Sequence, residues 1–179
     1  MNFTDLLYNR IVSGLLNFPD LTSWLFAFFL LFVVASICLP IGFKAGFLKN
    51  TTQVFPITKK INIAATSFFF PSLAEETFFR VIMLPSISEN LSINFLLIWA
   101  FISLIAYVLF HPLNSITFYK KSLPIFTNPI FLLLTSILGI ACTISYFQSA
   151  SVWTGVFIHW IVVIVWLIFL DGYMMLNNL

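Results

Sequence analysis

Charge is what this sequence has least of. Aspartate, glutamate, lysine and arginine together make up 8% of the 179 residues, against 61% hydrophobic residues. A water-soluble domain carries about 25% charged residues, so that class is excluded. The net charge of +2 is small, and the lysines sit in loops without interleaved aromatics. Nucleic acid binding therefore has no footprint. Cysteine is scarce too: Cys38 and Cys142 each fall in an apolar run, with no CxxC pair or metal-type spacing. They read as two buried free thiols acting as small hydrophobes. The chain has no HExxH helix, GxSxG elbow or glycine-rich phosphate loop. It has no internal repeat either, and so lacks the paired, glycine-interrupted helices of a secondary transporter.

What is present is hydrocarbon. The mean hydropathy is +1.07, and there are 23 phenylalanines. At about 20 apolar residues per crossing, the chain has room for about five or six helices and little else. The expected architecture is all-α: a multi-pass transmembrane bundle of five spans over 21–179, preceded by an interfacial amphipathic helix at 1–20. No length remains for a separate soluble catalytic domain, so any chemistry takes place in or at the membrane.

In chain order, Phe3, Leu7, Ile11, Leu15 and Phe18 have helical spacing among polar Asn2, Asp5, Asn9 and Arg10. This pattern predicts a helix lying in the interface and ending near 17–20. Asp5, together with the long apolar run that follows, argues against a cleaved leader. The first span is 21–41, stopped by Pro40 and Gly42. The second is 61–84, interrupted at Pro71, where Ser72 is expected to cap the restart. Leu84-Pro85-Ser86 closes it, and Glu89-Asn90 mark a short hairpin. The third span is 91–110, with His111 at or just past its end because Pro112 follows. The fourth and fifth are 130–147 and 152–170, and the chemistry-bearing core is 61–171. Placing the lysine-rich loops 43–60 and 111–128 in the cytoplasm puts all six lysines inside. Asp5, Asp20 and Glu89 then lie outside.

Three charged residues break the hydrocarbon within six positions, Glu75, Glu76 and Arg80. An ionisable side chain near the bilayer centre costs about 2.5–3.5 kcal/mol on insertion scales, which marks a functional suspect. Glu76 and Arg80 are four apart with the acid first, the favourable order for an ion pair on a helix. Glu75 points about 100° away from Glu76 and is left over. A desolvated carboxylate without a cationic partner is suited to act as a general base. The alternative, a helix-packing network without chemistry, leaves that second acid unexplained.

The two histidines are His111, four residues after Tyr107, and His159, within the fifth span. Together with Glu75 they form a constellation able to hold and activate a water. Glu75, His111 and His159 could also ligate zinc, although no pair has the short spacing that usually fixes a metal. The phenylalanines at 68, 69, 70, 78 and 79 read as lipid-facing or packing residues.

Glu75-Glu76-Thr77-Phe78-Phe79-Arg80 resembles the EExxxR motif of the CAAX protease and bacteriocin-processing family of glutamic intramembrane proteases. Tyr107 to His111 resembles that family's second motif, and His159 lies where its third-motif histidine falls. The resemblance implies an all-helical membrane endopeptidase that hydrolyses a peptide bond near the membrane face, with no metal or cofactor. The substrate would be a protein or peptide, with or without a lipid group. Catalytic roles pass to Glu75 as base, His111 as water-orienting group and His159 as oxyanion stabiliser, with Glu76 and Arg80 supporting them. Three positions depart from the pattern: Val81 follows the arginine, Tyr107 replaces phenylalanine, and Val163 stands where a polar residue is usual. Ser103, Asn114 and a backbone N–H are candidates to replace the donor missing at 163. The rival expectation is a non-catalytic membrane scaffold or immunity partner that keeps the fold.

Overall fold

The computed structural model describes residues 2–117 and 122–177. Those residues contain no β-strand and form a helical bundle. Lys120 and Lys121, expected in the second lysine-rich loop, lie outside the described residues.

Helix α1 spans Phe3–Leu16 and opens with a reciprocal capping box between Asn2 and Asp5. It docks on one end of the bundle through specific contacts. Gly14 approaches Val81 so closely that a Cβ would lie 2.8 Å from a methyl of that valine. Arg10 forks onto Glu89, and the indole of Trp153 donates to the Leu15 carbonyl at 2.9 Å.

Helix α2, Leu21–Lys44, starts on Asp20, whose carboxylate accepts from the Ser23 N–H at 2.7 Å. Pro40 lies inside this helix and does not stop it. In hydrocarbon, ending a helix strands four carbonyls, whereas a proline within it strands only the one four residues back. The same balance holds in α5, Ile93–Thr117, which runs through Pro112. His111 is therefore six residues inside the helix end and not at it.

The expected second span is a broken element. Helix α3, Ile57–Ser67, is followed by a π segment at Phe68–Leu73, a single α turn (α4) at Ala74–Glu76, and a second π segment at Thr77–Ile82. The break falls at Phe70, whose backbone is extended (φ −133°, ψ 118°), next to Pro71. The Ser72 hydroxyl does not cap the restart and has no hydrogen-bond partner among the described residues. Beyond it, a 3-10 turn at Ile87–Glu89 replaces the expected hairpin.

A short α6, Leu123–Phe126, precedes α7, Pro129–Ser149, and α8, Val152–Phe169, with α9, Gly172–Asn177, at the end. Among the described residues, four helices are long and apolar enough to cross a bilayer: α2, α5, α7 and α8. The protein is an integral membrane protein built as a multi-pass helical bundle. Ala27, Leu30, Leu138, Cys142 and Ile158 form the central packing of α2, α7 and α8. Because the long elements alternate in direction, residues 45–56 and the start of α7 share one end with the C-terminal part of α8. The Thr51 N–H bonds the Phe169 carbonyl there at 3.0 Å.

Candidate functional site

The α4 turn carries Glu75 and Glu76 into the bundle between two π segments. Each π turn widens the helix by one residue and shifts the direction of the side chains beyond it. Such distortions are frequent at functional sites. Glu76 is fully buried, and Arg80 is 1% exposed. Their closest approach is 3.3 Å, from Arg80 Nε to Glu76 Oε2. The other carboxylate oxygen of Glu76, Oε1, lies 3.0 Å from His159 Nδ1 on α8. A carboxylate accepts, so His159 carries its proton on Nδ1.

Arg80 has two further tethers. Its Nη2 donates to the Gly139 carbonyl at 3.1 Å, and its guanidinium lies 4.9 Å from the centre of the Tyr107 ring. Two buried charges of opposite sign thus hold four elements together, namely α4 with its second π segment, α5, α7 and α8. The expected intrahelical pair is also a junction between helices.

Glu75 takes a different direction. Its Oε2 is 4.0 Å from Nε2 of His111, too long for a direct hydrogen bond. That oxygen has no hydrogen-bond partner among the described residues. His111 Nδ1 lies 3.0 Å from the Tyr107 carbonyl. A carbonyl only accepts, so Nδ1 carries the proton and Nε2 presents a lone pair toward Glu75. The structure thus brings Glu75 and His111 to one place, and sets His159 on Glu76.

Glu75, Tyr107, His111 and His159 line one cavity of about 800 Å³. Most of its wall is apolar, with Leu31, Val34, Phe131 and Trp166 among the contributors. Val163 lines it as well, one turn beyond His159, and Asn114 lines it from α5. Ser103 does not serve the site. Its hydroxyl donates to the Phe79 carbonyl at 2.6 Å and is used in fastening α5 to the second π segment. Among the phenylalanines, Phe69, Phe70 and Phe78 are exposed on the bundle surface, while Phe79 is buried against Tyr107 and Phe110. Among the described residues, no group of three His, Cys, Asp or Glu is placed to hold a metal ion.

Sequence reasoning missed two residues that shape the site. A Cβ at Gly139 would lie 2.9 Å from the Tyr107 ring, and one at Gly155 would lie 3.1 Å from Glu76 Oε2. Their signal was present, since an isolated glycine inside an apolar helix marks a close approach.

Residues 21–165 match the model of a family described as type II CAAX prenyl endopeptidase, Rce1-like. No curated protein and no solved structure matches the chain.

Proposed function

The chain belongs to the Rce1-like family of type II CAAX prenyl endopeptidases, and on that footing we propose that it is an active intramembrane endopeptidase of the glutamic type. In this reading Glu75 and His111 hold the attacking water. The observation that carries it is the 4.0 Å gap between Glu75 Oε2 and His111 Nε2, two acceptors that share a cavity wall. A water about 2.8 Å from each would donate one hydrogen to each, leaving its lone pair free to attack. Glu75 then takes a proton as the water adds to the peptide carbonyl, and returns it to the amine as the C–N bond breaks. His159, fixed through Nδ1, meets the carbonyl oxygen with Nε2 when that nitrogen is protonated. Glu76 and Arg80 keep His159 and Tyr107 in place.

The substrate is a peptide near the membrane face, and the apolar cavity suits one that carries a prenyl chain. The lysine-bearing residues 45–56 lie at the end nearer His111, and by the charge rule this supports a peptide-binding end that faces the cytoplasm.

The test is cleavage of a prenylated CAAX peptide and its non-prenylated counterpart by the protein in liposomes. Glu75→Gln should abolish cleavage without lowering the melting temperature, and chelators should leave the rate unchanged. Full activity of Glu75→Gln removes the base assignment. Loss with chelator that zinc restores moves the case to a metalloprotease.

One observation favours a second reading, a non-catalytic membrane partner: Val163 offers no hydrogen-bond donor beside His159. An intact biological phenotype in Glu75→Gln would select it.

A further inference from the structure

The ring of Tyr107 sits between the two histidines. Its centre is 5.2 Å from that of His111 and 6.0 Å from that of His159, both edge-on. Gly139 makes room for it, and the Arg80 guanidinium lies over its face. The residue is fully buried and lines the cavity, yet its hydroxyl has no hydrogen-bond partner among the described residues. A buried hydroxyl without a partner costs about 1–3 kcal/mol. A phenylalanine would make the same ring contacts without that penalty. Packing alone therefore does not account for the oxygen.

The polar groups around it limit what it can serve. Glu76 is engaged by Arg80 and His159, Ser103 is engaged by Phe79, and position 163 is a valine. In a cavity where peptide hydrolysis builds negative charge on a carbonyl oxygen, an O–H donor held in fixed position has a defined use.

We propose that Tyr107 is a catalytic residue whose hydroxyl donates a hydrogen bond to the carbonyl oxygen of the scissile peptide, supplying the donor that Val163 does not. This inference rests on the peptidase reading above and deepens it. When the water oxygen bonds to the carbonyl carbon, the C=O π pair moves onto oxygen, and the Tyr107 O–H stabilises that oxyanion while keeping its proton. The water proton goes to Glu75. As the carbonyl re-forms, the C–N bond breaks and Glu75 protonates the leaving nitrogen, releasing a carboxylic acid and an amine.

Tyr107→Phe, assayed in liposomes on the prenylated CAAX peptide, should lower kcat about 100-fold, the size of effect seen for single oxyanion donors. KM should change less than about threefold, and the melting temperature should not fall. Adding Val163→Asn to that variant should restore at least part of the loss, because an amide returns at 163. A second measurement needs no turnover: a phosphinate peptide that mimics the tetrahedral state should lose affinity in Tyr107→Phe, while the uncleaved peptide binds as before. An unchanged kcat and phosphinate affinity overturns the inference. So does a loss confined to KM or melting temperature, or a selective loss in Asn114→Ala and not in Tyr107→Phe. Failure of the peptidase reading looks different: Glu75→Gln would then be as active as the parent, whatever Tyr107→Phe does.

Discussion

Glu76 and His159, 83 positions apart in the chain, meet at 3.0 Å in the interior of the bundle, carboxylate oxygen to ring Nδ1. The same carboxylate faces Arg80 at 3.3 Å. Removing it leaves a guanidinium buried without its counter-charge, which costs about 3–5 kcal/mol. Glu76→Ala should therefore unfold far more readily in detergent than Glu75→Gln, which breaks no direct hydrogen bond at Oε2. Equal melting temperatures for the two variants would show that Glu76 is not the structural acid.

Gly139→Ala sets two opposing effects against each other. Alanine favours the helix by about 1 kcal/mol over glycine. Its methyl would meet the Tyr107 ring at 2.9 Å and Leu104 at 2.8 Å, an overpacking worth about 1–3 kcal/mol. The ring is rigid and wedged between two histidines, so the clash should win. The expected result is a modest loss of stability together with reduced peptide cleavage. Activity at the parent level would mean that Tyr107 can shift freely.

The cavity makes a steric prediction. Ala35 lines its wall from α2. Ala35→Phe should project bulk into the 800 Å³ space and raise KM for a prenylated peptide. Glu75 and His111 would stay in place. Parent-like kinetics would show that the substrate lies elsewhere.

The fastening of α1 onto Glu89, which lies outside the four candidate spans, should be sensitive to acid. Burial of Glu89 disfavours its charge, but bonds from Arg10 and from the Ser86 N–H outweigh that and hold its carboxyl below the ordinary carboxylate range. The fork itself is short, 2.6 Å and 2.8 Å. A pKa lowered on folding contributes stability that is fully present above the unfolded value of about 4.3. That contribution is lost as pH falls through the folded value. Amides of α1 should thus exchange faster at pH 3 than at pH 5, relative to those of α7. Arg10→Ala should loosen α1 at pH 7 and remove most of that pH dependence. Persistent protection in that variant would assign the docking of α1 to Trp153 and the apolar contacts.

The helical class and the charged stretch were legible from composition and spacing, because lipid demands long apolar runs and makes each exception conspicuous. The prolines misled. Pro40 and Pro112 stop helices in water, where freed carbonyls find solvent, but in hydrocarbon continuing the helix strands fewer groups. Tertiary partners were not legible either. Spacing along one helix reveals Glu76 with Arg80, whereas the contact of Glu76 with His159 depends on how α4 and α8 pack. In the sequence Tyr107 is a minor departure from phenylalanine; only the packing shows a buried hydroxyl without a hydrogen-bond partner among the described residues.

Helix α5, which carries Tyr107 and His111, is the least enclosed of the long helices. Only 11% of its most apolar window is buried, against 50% for α7. Most of its surface meets lipid, and it is fastened to the second π segment through the bond of Ser103 to the Phe79 carbonyl. If the proposed reaction centre is the one at Glu75 and His111, bilayer mechanics reaches it directly. A helix that answers a thicker or thinner membrane by tilting carries His111 with it and alters its distance from Glu75. On the proposed function, the host membrane's thickness should be a variable of turnover, and acyl-chain length in the liposome is the dial that tests it.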